Sequence, residues 1–218
     1  MLNPLKSENG VNLTKLFGWI VCVGLLYLYF QVGQAIFSED SGAPKVTASG
    51  KLDPFRDPYQ KKTSGGKAFY NGRLNFLAKY DITARVLDKE YYSDGKKAKI
   101  APLDLTMGWK NMSVPSVYNK LNVRNSGRWY RYNWSGAPPI PPSKIATNSA
   151  NMHIIPANDR VRNDLKSVRK GQIVRMQGYL VHYKEESAQS WWAWKSSTSR
   201  HDTGDGACEL MYVENIYF

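Results

Sequence analysis

Thiol chemistry needs a cysteine that can lose its proton and a base to take it, and outside the apolar N-terminal stretch the residues available are Cys208 and His153. With two cysteines and three histidines in 218 residues, metal or nucleophile chemistry has little else to draw on. No dinucleotide fingerprint, phosphate-binding loop, zinc-ligand spacing or H-E-x-x-H is present, so neither a cofactor nor a metal is expected. Cys208 lies next to the end of the segment Ser196–Glu209, S-S-T-S-R-H-D-T-G-D-G-A-C-E. Its plainer reading is a hairpin loop, with Gly204 and Gly206 supplying positive φ and Asp202 and Asp205 bonding nearby amides. Cys208 would then be a small residue at the start of the returning strand. His153, in N-M-H-I-I-P-A-N, would be a half-buried strand residue.

A second kind of chemistry is binding. Arg128, Trp129, Tyr130, Arg131, Tyr132 and Trp134 form one basic aromatic cluster, and Trp191, Trp192, Trp194 and Lys195 form another. Such mixtures stack on bases while touching phosphates, stack on sugars, or make protein interfaces. Strand alternation sends half of these rings inward, so core packing competes with each of those roles. The chosen binding candidates are Arg128, Trp129, Arg131, Trp134, Trp191, Trp194 and Lys195. The net charge is +12, of which residues 1–37, with Lys6, Lys15 and Glu8, carry +1. The remainder of the chain is therefore suited to anionic partners.

The elements that must hold these residues are mostly strands. Tyr80–Leu87 alternates Ile82, Ala84 and Val86 with Asp81, Thr83 and Arg85. Arg128–Trp134, Met152–Ile155, Gln172–Tyr183, Ser190–Lys195 and Cys208–Val213 are aromatic or β-branched, and Gly178 predicts a bulge or kink within its strand. Two short helices are predicted, Pro115–Asn122 with Ser113 as cap, and Asp159–Val168 capped by Asn158 or Asp159. The expected fold is mainly β (α+β), a small OB-like or SH3-like barrel with two short helices.

Leu16–Phe37 contains no charged residue. At about 1.5 Å per residue it reaches about 33 Å, enough to cross a hydrocarbon core. A cleaved signal peptide is the rival, with Gly33 and Ala35 as small residues near a cleavage site, although bulky aromatics crowd that position. Lys6 and Lys15 upstream, against Glu39 and Asp40 downstream, place the N-terminus in the cytoplasm and the domain outside it. The expected organisation is a cytoplasmic tail over 1–15, an inner-membrane helix over 16–37, a flexible linker over 38–66, and an extracytoplasmic or periplasmic domain over 67–218. Roughly 28 linker residues reach about 30 Å as a coil.

Two resemblances add to this reading. The order of His153, a G-Q-I-V-R-M strand and Cys208 is similar to that of sortase-type transpeptidases, which are membrane-anchored β-barrels. Ala207 stands where that pattern has Thr, and only Arg200, upstream, is placed to serve as its arginine. More broadly, Leu103–Trp109 (L-D-L-T-M-G-W), Asn151–Ala157 (N-M-H-I-I-P-A), Gly171–Val181 (G-Q-I-V-R-M-Q-G-Y-L-V) and Ser199–Glu209 (S-R-H-D-T-G-D-G-A-C-E) resemble a group of bacterial proteins with a single N-terminal span and no assigned activity. That likeness implies an architecture and a bacterial source without a function. The expected role is a non-catalytic binding or assembly module of the cell envelope, a subunit of a larger membrane complex, contacting protein, lipid or an anionic polymer. The alternatives are a cysteine transpeptidase or hydrolase using Cys208 and His153, and a single-stranded nucleic-acid module, the last disfavoured because an extracytoplasmic compartment rarely contains nucleic acid.

Overall fold

The computed structural model describes residues 51–185, 192–202 and 204–218. The expected span over 16–37, with Cys22, and the binding candidate Trp191 lie outside the described residues. Among the described residues no helix is long and apolar enough to cross a membrane.

The domain is mainly β. Its strands are β1 (Tyr59–Lys62), β2 (Gly66–Phe69), β3 (Gly72–Tyr91), β4 (Leu103–Gly108), β5 (Arg124–Ser126), β6 (Trp129–Arg131), β7 (Ser149–Pro156), β8 (Ile173–Glu185), β9 (Ala193–Lys195) and β10 (Glu209–Tyr217). Among the described residues there are four short α-helices rather than the expected two, α1 (Lys96–Ile100), α2 (Pro115–Tyr118), α3 (Pro142–Thr147) and α4 (Asp159–Ser167), and one 3-10 turn, Lys110–Ser113. The two additional helices are five and six residues long, too short to display a helical period. The predicted Ser113 cap is not formed, because the Ser113 hydroxyl donates to Lys110 O instead. Asn158 does cap α4, its Oδ1 accepting from the Val161 amide at 3.0 Å.

Five strands pair in a ring. β3 pairs with β4, β4 with β7, β7 with β10, β10 with β8, and β8 with β3 again. All of these pairings are antiparallel except β7 with β10, which is parallel. Ile82, Ala84 and Val86 of β3 join Leu105, Met107, Met152, Ile154, Met176 and Met211 in the main core. Val161, Leu165 and Val168, the stripe predicted for α4 and its end, enter that same core. Gly178 is required by a close approach of backbone: a Cβ there would lie 1.9 Å from Tyr212 O. The irregularities near it fall on the partner strands, between Phe76 and Ala78 and between Val213 and Asn215.

Strand pairing also reaches back into the stretch whose composition reads as linker. Tyr59–Lys62 pairs with β3, and the Lys110 amide donates to Pro54 O. Ser, Gly and Pro content predicts coil, but edge-strand pairing is decided by an available partner, and β3 supplies one.

The register across β4 and β7 positions the site. Leu103 faces Ile154 and Leu105 faces Met152, all in the core, so the alternate pairs Asp104–His153 and Thr106–Asn151 belong to the outer face. These polar pairs are nonetheless buried. The insertion between β4 and β7, with its hairpin β5–β6 and a small apolar cluster around Leu87, Met112 and Ile145, covers them.

Candidate functional site

Covering a polar face with protein demands a partner for each polar atom, since a buried donor or acceptor left alone costs about 1–3 kcal/mol. Here the hairpin supplies most of them, although among the described residues Asn125 Oδ1 is itself buried without one. Asn125 Nδ2 donates to Asn151 Oδ1 at 2.6 Å and to Thr106 Oγ1 at 3.2 Å. Asp104, fully buried, accepts from Arg128 Nη1 at 2.6 Å and meets His153 Nδ1 at 2.9 Å through the same oxygen. The Arg128 guanidinium stacks on the Tyr92 ring at 3.5 Å. Its amide donates to Tyr92 OH, whose own proton goes to Glu90 Oε2 at 2.7 Å.

Arg128 is held in a backbone conformation that side chains rarely adopt. The hairpin turn puts Gly127 at φ 59° and Arg128 at φ 73°. Two successive residues of positive φ are the geometry of a tight two-residue hairpin, in which glycine or asparagine is the easier occupant of the second place. The ion pair to Asp104 and the bond from Asn151 Nδ2 to Arg128 O compensate for that strain.

Two adjoining cavities open beside this layer, each of about 310 Å³. The first is lined by Lys97, Arg128, Trp129, His153, Trp194 and Lys195, with the backbone of Gly204 and Gly206 nearby. The Lys97 ammonium lies 5.1 Å from the Trp194 ring centre, and the His153 ring packs against the same indole at 4.7 Å. Among the described residues neither Lys97 nor Lys195 forms an ion pair. The second cavity lies against Trp109, Trp129, Tyr130, Tyr132, Arg200 and Glu209. Trp129, Gly204 and Cys208 border both.

Burial decides the protonation states. It pushes the Cys208 thiol up to about 11, an effect reinforced by Glu209 and Asp104 and eased by the Asn151 amide, whose Nδ2 is 3.8 Å from Sγ. At neutral pH Cys208 is thus a thiol, the unreactive form. Glu209, pushed up to about 8 by burial and partly restored by Arg200, keeps its proton near neutrality. The Arg200 guanidinium bonds Glu209 Oε1 at 3.1 Å and lies over the Tyr80 and Trp109 rings.

Four of the binding candidates, Arg128, Trp129, Trp194 and Lys195, are brought together around one cavity. Arg131 is exposed on β6 opposite Arg124, and Trp134 stacks on Tyr132 within the insertion, so these two lie apart from it. Cys208 and His153 border the same cavity, while Arg200 engages Glu209 in the other. Sequence reasoning missed Lys97, Trp109, Asn151 and Glu209. Asp104 and Asn151 did sit within the motifs of the bacterial resemblance, as buried polar residues in otherwise apolar strands. Gly204 and Gly206 have φ of 84° and 85°, as expected for the loop, but it does not close a hairpin: the flanking strands β9 and β10 each pair with β8 and not with each other. In comparison with known proteins, no family model, no curated protein and no solved structure matches this chain.

Proposed function

We propose that the chain is a non-catalytic, membrane-tethered binding module of the bacterial envelope, working as a subunit of a larger membrane complex and holding an anionic partner on an OB-like barrel. The ring order β3-β4-β7-β10-β8, with its parallel β7–β10 pair and α4 between β7 and β8, supports the OB-like reading. Barrels of that kind take oligonucleotides and oligosaccharides on the face of their second and third strands and on the loops beside it. The observation that carries the proposal is the cavity in that position, where Arg128 and two lysines, neither in an ion pair among the described residues, surround Trp129 and Trp194. Cations placed beside ring faces suit a chain with regular negative charge and flat units.

The test is a titration of the full chain with labelled anionic chains (polyphosphate, a polyuronate, a single-stranded oligonucleotide) at rising salt. Binding is expected to fall steeply with salt, and the K97A/K195A double variant to weaken it about tenfold with a shallower salt slope. A salt-independent response would count against the reading. A pull-down from detergent extracts with residues 1–50 intact tests the assembly role, by the presence or absence of a stable membrane complex.

The cysteine-enzyme alternative draws support from one observation, the Asp104 carboxylate held on His153 Nδ1, which is how an acid orients a catalytic imidazole. The neutral thiol of Cys208 weighs against it.

A further inference from the structure

The second cavity has chemistry of its own. Most polar side chains along it already hold internal partners. Ser149 Oγ donates to Ile145 O and meets Tyr130 OH, and the Asn151 amide is shared among Asn125, Arg128 and Cys208. Asp202 accepts from Ser197 Oγ, and Ser199 Oγ accepts from the His201 amide. Two atoms differ. The Trp109 indole N–H and Glu209 Oε2 are both buried and, among the described residues, have no hydrogen-bond partner. Both residues border the cavity and are at least nine-tenths buried, Trp109 at 1% exposure and Glu209 at 3%. Glu209 keeps its proton near neutrality and its Oε1 accepts from Arg200, so Oε2 bears the proton, and a ligand offering an acceptor to each of the two groups would satisfy atoms that otherwise carry an uncompensated desolvation cost.

The shape of this demand selects among ligands. Four rings border the cavity, Trp109, Trp129, Tyr130 and Tyr132. A pyranose carries hydroxyls around its whole rim, and against ring walls with two free polar atoms most of them would be buried without partners. A nucleobase has two apolar faces and gathers its donors and acceptors on its edges. The neighbouring cavity, sharing Trp129, holds Lys97 and Lys195 without ion-pair partners among the described residues. One nucleotide needs that combination, a ring pocket next to a cationic one.

We infer that the cavity is a base pocket, in which Trp129 stacks on one unpaired base of a single-stranded nucleic acid, Glu209 and Trp109 satisfy its edge, and the adjoining phosphates lie by Lys97 and Lys195. This rests on the anionic-ligand reading of the neighbouring cavity.

The experiment uses the full chain in mild detergent and fluorescence anisotropy. The probes are a labelled single-stranded 12-mer, a strand of equal length made wholly of abasic units, and a polyuronate of similar charge. The expected result is binding of the 12-mer about tenfold tighter than the abasic strand, with Glu209→Leu and Trp129→Ala each removing most of that preference, Glu209→Gln, which keeps a donor in the same place, retaining it, and the salt slope unchanged in all three. Equal affinity for the two strands overturns the base pocket and leaves the anionic groove standing. Polyuronate binding that depends on Glu209, without binding of the 12-mer, overturns it in favour of a glycan. Failure of every anionic chain to bind overturns the groove and the pocket together. Should Glu209→Leu melt near room temperature, Trp129→Ala decides alone: Trp129 is 39% exposed on the hairpin, and a base preference that survives its loss overturns the inference.

Discussion

Glu209 and Cys208 are neighbours in the chain, and both are governed by burial, yet with different consequences. Folded Glu209 holds its proton up to about pH 8, while in the unfolded chain it releases near its ordinary value of 4.5. Across that interval the folded state binds the extra proton, so the contribution of Glu209 to stability falls as pH rises from about 4.5 through 8. Glu209→Gln removes this dependence. The variant is expected to melt close to the unaltered protein at pH 4.5, and higher at pH 9 by on the order of 3 kcal/mol, or roughly 6–12 °C. Thermal melts at pH 4.5, 7 and 9 measure it, and a difference that does not grow with pH contradicts the assignment. For Cys208, a thiol pushed up to about 11 carries very little thiolate at pH 7.5. Iodoacetamide should therefore label it at least tenfold more slowly in the native state than after denaturation. Rapid native labelling, read by mass spectrometry of the peptide containing Cys208, would revive the enzyme alternative.

At the scale of elements, the hairpin β5–β6 is the piece that turns an open sheet face into a site. It is short, three residues a strand, and holds to the main sheet largely through Arg128 and Asn125. Arg128→Ala would leave the buried Asp104 carboxylate without its guanidinium, with His153 and a 3.3 Å contact from the Tyr92 hydroxyl remaining, and lose the stacking on Tyr92. The expected cost is about 3 kcal/mol by denaturant unfolding, characteristic of breaking a buried pair from one side. Arg128→Gly separates backbone strain from charge: it relieves the positive φ and should cost measurably less than Arg128→Ala. Equal losses would mean that the strained turn contributes nothing measurable. The alternation of Arg128–Trp134 was legible in the sequence, and Tyr130, Tyr132 and Trp134 do pack inside the insertion while Trp129 and Arg131 stay outward. What alternation cannot say is which sheet a strand joins, and this one pairs only with β5.

At the scale of the whole molecule, the cavities arise because distant segments meet. Lys97 follows β3, Arg128 and Trp129 come from the insertion, His153 sits on β7, and Trp194, Lys195 and Cys208 lie between β8 and β10 or at its start. The Arg175–Asp81 pair, at 2.7 Å across β8 and β3, and the Gly178 contact with Tyr212 close the ring that holds them in place. Under the proposed anionic-ligand reading, the net charge of +12 serves to draw such a ligand from a distance.

Periodicity and composition by themselves determined the β-rich character, the stripe on α4 with its Asn158 cap, the Gly204–Gly206 loop and the basic aromatic character of two segments, because each is a local pattern with a local cause. Tertiary structure alone decided that Asp104 lies opposite His153, that Lys97 reaches the Trp194 ring, and that Glu209 is sealed beside Arg200. These depend on strand register and on an insertion folding back over a polar face, and both are set by contacts between residues tens of positions apart. A single aspartate inside L-D-L-T-M-G-W is indistinguishable in sequence from a solvated one. Its burial follows only once Arg128, more than twenty residues later, is placed on top of it.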